Sequence, residues 1–537
     1  MNFIDCYHKH LSSENYILPF DYNIKIEEKA ELMSSLMGRQ LTEQHGPVLD
    51  FSYLLRPFYY FYLFAYANGS YLKPEGGNSE NALQPILNIN KLSEMPVNGW
   101  AHEILYKISK AEDPLQYSLK LLERIPRYER TSGTDKNDKD MGGENIESYV
   151  GISLSLVVLE KLTLWLMSGR KLRFVRARKP DREHHLLLDP ALRSGLLEAL
   201  SDDTEVCQLA NEEYRLLLSS VMFMPTYFLE DFDRELAVAR DISRNLAVLV
   251  CGIEFQHKPA IAIALALLKK QGSRLIGSQH GGAYGQTDIS LMERTERFLF
   301  DDYITWGHQF YANEHPLPSI RLSRFRFGPL WQRFRRRMVK PERKTILIVL
   351  PYIKPALAYG SNRPNILQQH VALLKSLEIL SSAINENYKI ILRMHPWNDV
   401  HEYEQAIPDF MRDRVPLVHG QRGTLARDMH NYEYVMFTGP NATGLSECVV
   451  NGVPFTIIAR PECYRIRPEA EHIYETLRQA DVWVTEPEQL TRVLKAKKTN
   501  DRQKAALDLF GKMYAFHTYA YLGHWSRFIN SLNSGQS

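Results

Sequence analysis

A chain of 537 residues with 44% hydrophobic and 24% charged residues has the balance of a folded globular protein, which sets disorder aside and, at this length, predicts two large domains. The formal charge of +2 excludes a global pull toward nucleic acid or membrane, so any basic surface must be local. Five scattered cysteines (Cys6, Cys207, Cys251, Cys448, Cys463) without a C-x-x-C pair exclude a disulfide framework and a structural zinc site.

Residues 1–20 carry Asp5, His8, Lys9 and Glu14 and no apolar core, unlike a secretion signal. No apolar run is long and uncharged enough to span a bilayer. A cytoplasmic protein is expected. The first 130 residues read as helical and aromatic-rich, densest at 51–71, and 131–145 (TSGTDKNDKDMGGEN) reads as a surface loop. An apolar helix is expected over 146–173, ending in KLRFV as a strand.

Strand–helix alternation follows. Strands are expected at 245–251, 273–278 and 303–307, with a helix at 258–270. After an arginine-rich stretch come strands at 345–350, 389–393, 434–438 and 454–459, with helices at 365–385 and 445–451. Alternation of this kind specifies a parallel sheet covered by helices. The expected fold class is α/β: two Rossmann-like domains with a cleft between them. They comprise 1–335 on the acceptor side, 342–510 for the nucleotide, and a helical tail at 511–537.

Three segments follow strands and carry chemistry. Thr438 to Glu447 (TGPNATGLSE) passes from a strand through a glycine-bearing turn into a helix. A helix start offers unpaired N–H groups and partial positive charge to a phosphate, and Thr438, Gly439, Asn441, Thr443, Ser446 and Glu447 would line it. An ordinary N-capped helix fits the same letters equally well. Arg393, His395 and Pro396 (RMHP) end another strand of the same sheet, where a histidine can donate to phosphate. Convergence of the two strand ends on one crevice favours a nucleotide there.

The third segment is Ser278 to Gln286 (SQHGGAYGQ). The paired glycines Gly281 and Gly282 suit a turn at positive φ, with Gln279, His280 and Tyr284 beside it. His280 could act as base on an acceptor hydroxyl or stabilise a departing phosphate, and a glycine turn with incidental polar residues is the plain alternative. His45, in EQHG ahead of the aromatic run, is a weaker candidate. Asp231-Phe232-Asp233 is a D-x-D, more often a solvated helix start than a cation site. No H-E-x-x-H and no cysteine cluster occur, so no metal and no cofactor are expected.

The stretch 321–344 holds ten Lys and Arg against one acid, Glu342, with aromatics interleaved. An anionic membrane surface or glycan and a solvated interdomain connector both fit it.

These motifs, in this order, resemble the surface-carbohydrate transferases of the GT-B fold. That group includes capsule Kdo transferases, bacterial sialyl- and polysialyltransferases, and CDP-glycerol glycerophosphotransferases. The nearest likeness is a family of transferases from leptospiral and other bacterial surface-glycan loci. The shared features are His45, the turn Gln279 to Gly285, the step His395-Pro396, and Thr438 to Glu447. The resemblance implies a metal-independent glycosyltransferase in which His395 contacts the donor phosphate and Thr438 to Glu447 cradle the nucleotide. It assigns His45, His280 and Gln279 to catalysis, without dividing base from acid, and Gly281, Gly282 and Tyr284 to the acceptor side. It favours CMP-activated Kdo or a nonulosonic acid, moved onto a lipopolysaccharide O-antigen or capsule. A strict Ser/Thr pair is absent, Thr438 and Thr443 being five apart. The implied partners are the nucleotide sugar, a glycan or lipid-linked acceptor and the cytoplasmic face of the inner membrane through 321–344, with no nucleic acid. A glycerophosphotransferase or UDP-sugar enzyme of the same fold, and a non-catalytic nucleotide-binding scaffold, are the rivals.

Overall fold

The computed structural model describes residues 20–69, 111–123, 149–154, 156–169, 171–175, 188–287, 291–325, 345–351, 366–383, 388–395, 417–419, 425–440, 442–464, 466–496 and 500–533. The 131–145 segment, Pro396, Asn441 and residues 326–344 of the basic stretch lie outside them.

The first sheet contains β1 (Tyr149–Ser153), β2 (Leu172–Phe174), β3 (Leu246–Cys251), β4 (Arg274–Ser278), β5 (Asp302–Thr305) and β6 (Glu314–Pro316). Their order is β2-β1-β3-β4-β5-β6, and every pairing is parallel. The second contains β7 (Thr345–Val349), β8 (Lys389–Met394), β9 (Leu417–His419), β10 (Tyr434–Phe437), β11 (Phe455–Ile458) and β12 (Trp483–Val484). It is also parallel throughout, in the order β12-β11-β10-β7-β8-β9. Read as 3-2-1-4-5-6 from the β9 edge, this is the dinucleotide-binding arrangement, whose strand order reverses between its first and fourth strands. That switch point lies between β7 and β10.

Parallel strands are covered on both faces and therefore read as continuous apolar runs. All four residues of β5 and of β11 are buried. The helix Pro259–Lys270 is buried from Ala260 to Leu268, because it lies between the first sheet and an outer helical layer. That layer contains Phe20–His45, Phe51–Gly69, Pro190–Asp202 and Asn211–Phe223. Two tyrosines of the conspicuous 51–71 run are buried with their hydroxyls satisfied: Tyr59 bonds Ser220 at 2.9 Å, and Tyr62 donates to the Leu216 carbonyl at 3.1 Å. Arg193, fully buried, is held by Glu230 at 2.7 Å and donates to the Val221 and Met224 carbonyls. These bonds supply the partners that a buried guanidinium requires.

The helix Asp501–Tyr514 belongs to the second domain, where Ala506, Phe510 and Tyr514 enter its core. The last helix, Tyr521–Asn533, returns to the first sheet and packs beside Val158–Met167. There Trp525 donates its indole N–H to the Pro318 carbonyl at 2.9 Å, and Ile529 is fully buried.

The apolar stretch 146–173 is one correction. It divides into edge-region strand β1 and the shorter helix Val158–Met167. Period alone does not separate short apolar runs into strands and helices, and β1 is fixed by pairing with β3 over Tyr149 to Ser153. Strands β6, β9 and β12 also lacked a legible pattern, being only two or three residues long. No helix among the described residues is long and apolar enough to cross a membrane.

Candidate functional site

The loop after β4 and the loop after β10 meet. The amide of Gly282 donates to Thr443 Oγ1 at 3.0 Å. A Cβ at Gly282 would lie 2.8 Å from Thr443 Cα and 2.9 Å from its nitrogen. The carboxyl ends of the two sheets therefore face each other, with SQHGGAYGQ on one side and TGPNATG on the other. Positive φ falls on Ala283 (79°) and Gly285 (69°), not on the glycine pair expected from sequence. Gly282 is required for close approach rather than for backbone freedom.

On the first-domain side, His280 stands at the rim, its side chain 29% exposed. Its Nδ1 is 2.9 Å from the Tyr284 hydroxyl, which donates to Glu296 Oε1 at 2.9 Å, and Nδ1 itself is 3.3 Å from that carboxylate. Tyr303 also donates to Glu296. With the Tyr284 proton directed at Glu296, the hydroxyl oxygen accepts from Nδ1–H. The same hydroxyl lies 3.4 Å from Nε2, so Tyr284 and Glu296 together hold the imidazole in place. Burial pushes the Tyr284 and Tyr303 hydroxyls well above the usual phenol range, so both remain donors. Glu254, one turn beyond β3, has a buried Oε2 without a partner. Burial raises its carboxyl, opposed by its own backbone amide, Lys258 and His280. Neither Glu254 nor Glu296 was singled out from sequence. The available signal was that Glu254 follows a buried strand directly, in VCGIE, while Glu296 gains its place only through the helix Leu291–Leu299.

Gln279 takes a different position. Its Nε2 donates to the Gly281 carbonyl at 2.8 Å, and its Oε1 accepts from the Trp306 amide at 2.8 Å. Both ends of the amide are spent on backbone, so Gln279 shapes the turn that carries His280 rather than reacting.

His45 packs among aromatic rings of the first domain. It ends the helix Phe20–His45, and its ring lies 4.4 Å from that of Phe232 and 5.8 Å from that of Phe51. Nearby, the Pro47 carbonyl accepts from Lys270 at the last turn of Pro259–Lys270. Val48 shares a cavity of about 570 Å³ with Asn245 and Gln271. Those residues precede β3 and β4, while His45 itself lies against Phe232, in the first turn of the helix Phe232–Ser243 that leads to β3. Burial lowers its basicity, with Asp233 opposing. Asp231 is the N-cap residue of the helix Phe232–Ser243, but it is buried rather than solvated as the plain reading of the D-x-D supposed, and only Asp233 is exposed.

On the second-domain side, Thr438 ends β10 at the switch point. Its buried Oγ1 has no partner, and its carbonyl accepts from the Tyr464 hydroxyl at 2.9 Å. A Cβ on Gly439 would lie 2.7 Å from that hydroxyl. The helix Thr443–Asn451 starts after Ala442, which has no side chain to cap it, leaving first-turn amides for another acceptor. Arg393 is buried at the end of β8, with Nη1 2.9 Å from Asp428 Oδ2. His395 follows, half-buried at the same end of the sheet. Thr438, Gly439, Thr443, Arg393 and His395 thus gather at the carboxyl ends of β10 and β8.

Ser446 and Glu447 point elsewhere. The Ser446 hydroxyl donates to the Tyr514 carbonyl at 3.0 Å, and Glu447 Oε1 accepts from Arg321 at 2.9 Å. One helical turn further along than Thr443, they lie against Asp501–Tyr514 and Ile320–Phe325. Burial raises the Glu447 carboxyl, with Arg321 and Arg393 opposing.

The cleft floor is a buried ionic network joining the domains. Glu293 accepts from the Gly285 amide at 2.9 Å and pairs with Arg297 at 2.9 Å and with Arg467, from the second domain, at 3.3 Å. The Arg467 amide donates to the Gln286 carbonyl, and Tyr514 donates to that of Gly285. Glu293, His308 and Glu314 place one ligand atom each within 4.8 Å of one another. Arg297 and Arg467 already balance the two carboxylates, so the cluster functions as an interdomain ion network.

Several solved structures share low similarity with this chain. S. aureus MnaA with UDP matches at 10% identity and TM-score 0.38, covering 73% of this chain and 98% of that one. A mutant of the Thermobaculum terrenum O-GlcNAc transferase matches at 12% and 0.37, covering 97% and 100%. Acinetobacter baumannii MurG matches at 11% and 0.35, covering 72% and 99%. No curated protein sequence matches. The model of the LIC12162 family transferases matches residues 116–526, a span that includes the His280 turn, His395 and the loop after β10. The chain, two Rossmann-like units facing each other in the GT-B manner, belongs to the LIC12162 family of transferases.

Proposed function

We propose that this protein is a glycosyltransferase that binds a nucleotide sugar at the β7–β10 switch point and transfers the sugar to an acceptor hydroxyl deprotonated by His280. The observation that carries this reading is the Gly282–Thr443 contact, which brings the histidine-bearing turn onto the uncapped helix start of the nucleotide-type sheet.

Charge develops on the leaving phosphate as the glycosidic bond breaks. The first-turn amides of Thr443–Asn451, Thr438 Oγ1, Arg393 and His395 surround the place where that phosphate would sit, and stabilise it without requiring a metal. Across the cleft, His280 Nε2 takes the acceptor proton, and the Tyr284–Glu296 pair stabilises the imidazolium that results. The proton is thus stored at His280 while the nucleotide leaves as its anion. The base would be cytidine, and the sugar Kdo or a nonulosonic acid bound for a surface glycan. That assignment rests on the His395-Pro396 step and the family likeness.

The test is thermal shift with CMP, CDP, UDP, GDP and ADP on the wild type and on His395→Ala. Nucleotide at about 100 times its dissociation constant adds about 2.7 kcal/mol of stability. Stabilisation by a cytidine nucleotide alone, lost in the variant, supports the proposal. Stabilisation by UDP alone moves the donor to the uridine class, and stabilisation by none of the five removes the donor site.

A further inference from the structure

The helix Val158–Met167 carries an apolar face that is exposed among the described residues. Val158, Leu159, Leu162 and Leu166 are 79%, 71%, 51% and 55% exposed. With Val157 and Met167 they account for six of the nine large hydrophobic residues that are exposed among the described residues. Scattered exposed leucines need no explanation, but a contiguous set does. The opposite side of the helix is fully used: Leu164 is buried against the first sheet, and Glu160 is buried in bonds to Arg324 and Tyr521.

The charge around this face has one sign. Glu160 is the only acid between 156 and 179, a span holding seven Lys and Arg. Of these, Lys171 is exposed and Lys161 and Arg173 are half-exposed. Arg324, bonded to Glu160 at 2.6 Å, brings the start of the second basic stretch to the same helix. In a chain of net charge +2, the two stretches together hold 17 Lys and Arg against two acids. An apolar helical face edged by cations fits a surface that offers hydrocarbon beneath anionic headgroups.

We propose that Val158–Met167 is the membrane-seating element of this protein, lying in the interface of an anionic lipid bilayer with Leu159, Leu162 and Leu166 inserted. The helix follows β1 at its carboxyl end, the end that bears Glu254 and His280. Leu154, between strand and helix, would be 3.5 Å from a Cβ on Gly252. A seated molecule therefore holds the first-domain side of its cleft next to the lipid surface. The inference stands whether or not the cleft transfers a sugar.

The test is co-sedimentation of the full-length protein with phosphatidylcholine vesicles, with and without phosphatidylglycerol, at low and high salt. The wild type and the variant Leu159→Gln/Leu162→Gln/Leu166→Gln are compared. Wild type is expected to sediment with anionic vesicles only, and the variant to bind about tenfold or more weakly at an unchanged melting temperature. Three results overturn the proposal. One is no sedimentation with either vesicle. Another is binding that salt abolishes and the variant leaves intact, which indicates a polyanion site alone. The third is a wild-type dimer by light scattering that the variant dissociates, without vesicle binding by either, which assigns the face to a second copy of the chain.

Discussion

Gly282→Ala tests the contact on which the site depends. Gly282 is not at positive φ, so alanine fits its backbone and the effect arises from space alone. The new methyl would lie 2.8 Å from Thr443 Cα, about 0.6 Å inside the shortest ordinary contact. The obstacle is backbone at a helix start, which cannot rotate away. Overpacking of this kind costs about 1–3 kcal/mol, and losing the Gly282–Thr443 bond adds about 1 kcal/mol. For a domain of this size that corresponds to a melting point lower by about 2–4 °C per kcal/mol. Displacing the helix start should also weaken nucleotide binding by about tenfold, since first-turn amides are placed to within fractions of an ångström. Gly281→Ala is the control, because its methyl would meet Thr443 Oγ1 at 3.6 Å, an ordinary contact. Thr443→Ala removes the bond without the collision and should cost only about 1 kcal/mol. Melting curves and nucleotide titrations on the three variants decide the matter. If Gly281→Ala and Gly282→Ala prove indistinguishable in both, the loops do not meet as described and the reasoning fails.

Glu296→Gln should leave nucleotide affinity unchanged, lower turnover by about 10²-fold and shift the acidic limb of the pH–rate profile; an unmoved profile would reduce Glu296 to a packing role. His308 is buried with both ring nitrogens unpartnered, and burial lowers its pKa to about 4, Glu293 and Glu314 opposing. A depressed folded-state pKa means stability that is present above the unfolded value near 6.5 and lost as pH falls toward 4. This amounts to at most about 3 kcal/mol, and His308→Phe should flatten that part of the stability–pH curve; identical acid limbs would exclude the histidine as their source. Nucleotide-specific stabilisation lost in His395→Ala, and vesicle binding lost with the exposed leucines, complete the set.

The architecture and the chemical vocabulary were legible in the order of residues alone. Short β-branched runs alternating with amphipathic stretches specify parallel sheets because such strands must be apolar on both faces. Seven expected strands lie within a residue or two of β3, β4, β5, β7, β8, β10 and β11. The motifs at strand ends stood out because glycine and proline there have few other uses. What remained hidden depended on three-dimensional closure. His280, in a Gln-His-Gly setting like that of His45, gains its partners Tyr284 and Glu296 only when the loop after β4 meets the helix Leu291–Leu299. Whether a polar side chain is available to the cleft depends on what packs against the helix, and Ser446 and Glu447 are taken by the Tyr514 carbonyl and Arg321. Glu296 gains significance from the fold, because a carboxylate's role is set by what it is buried against, and Tyr284, Tyr303 and His280 reach it only when the loop after β4 and strand β5 pack around its helix.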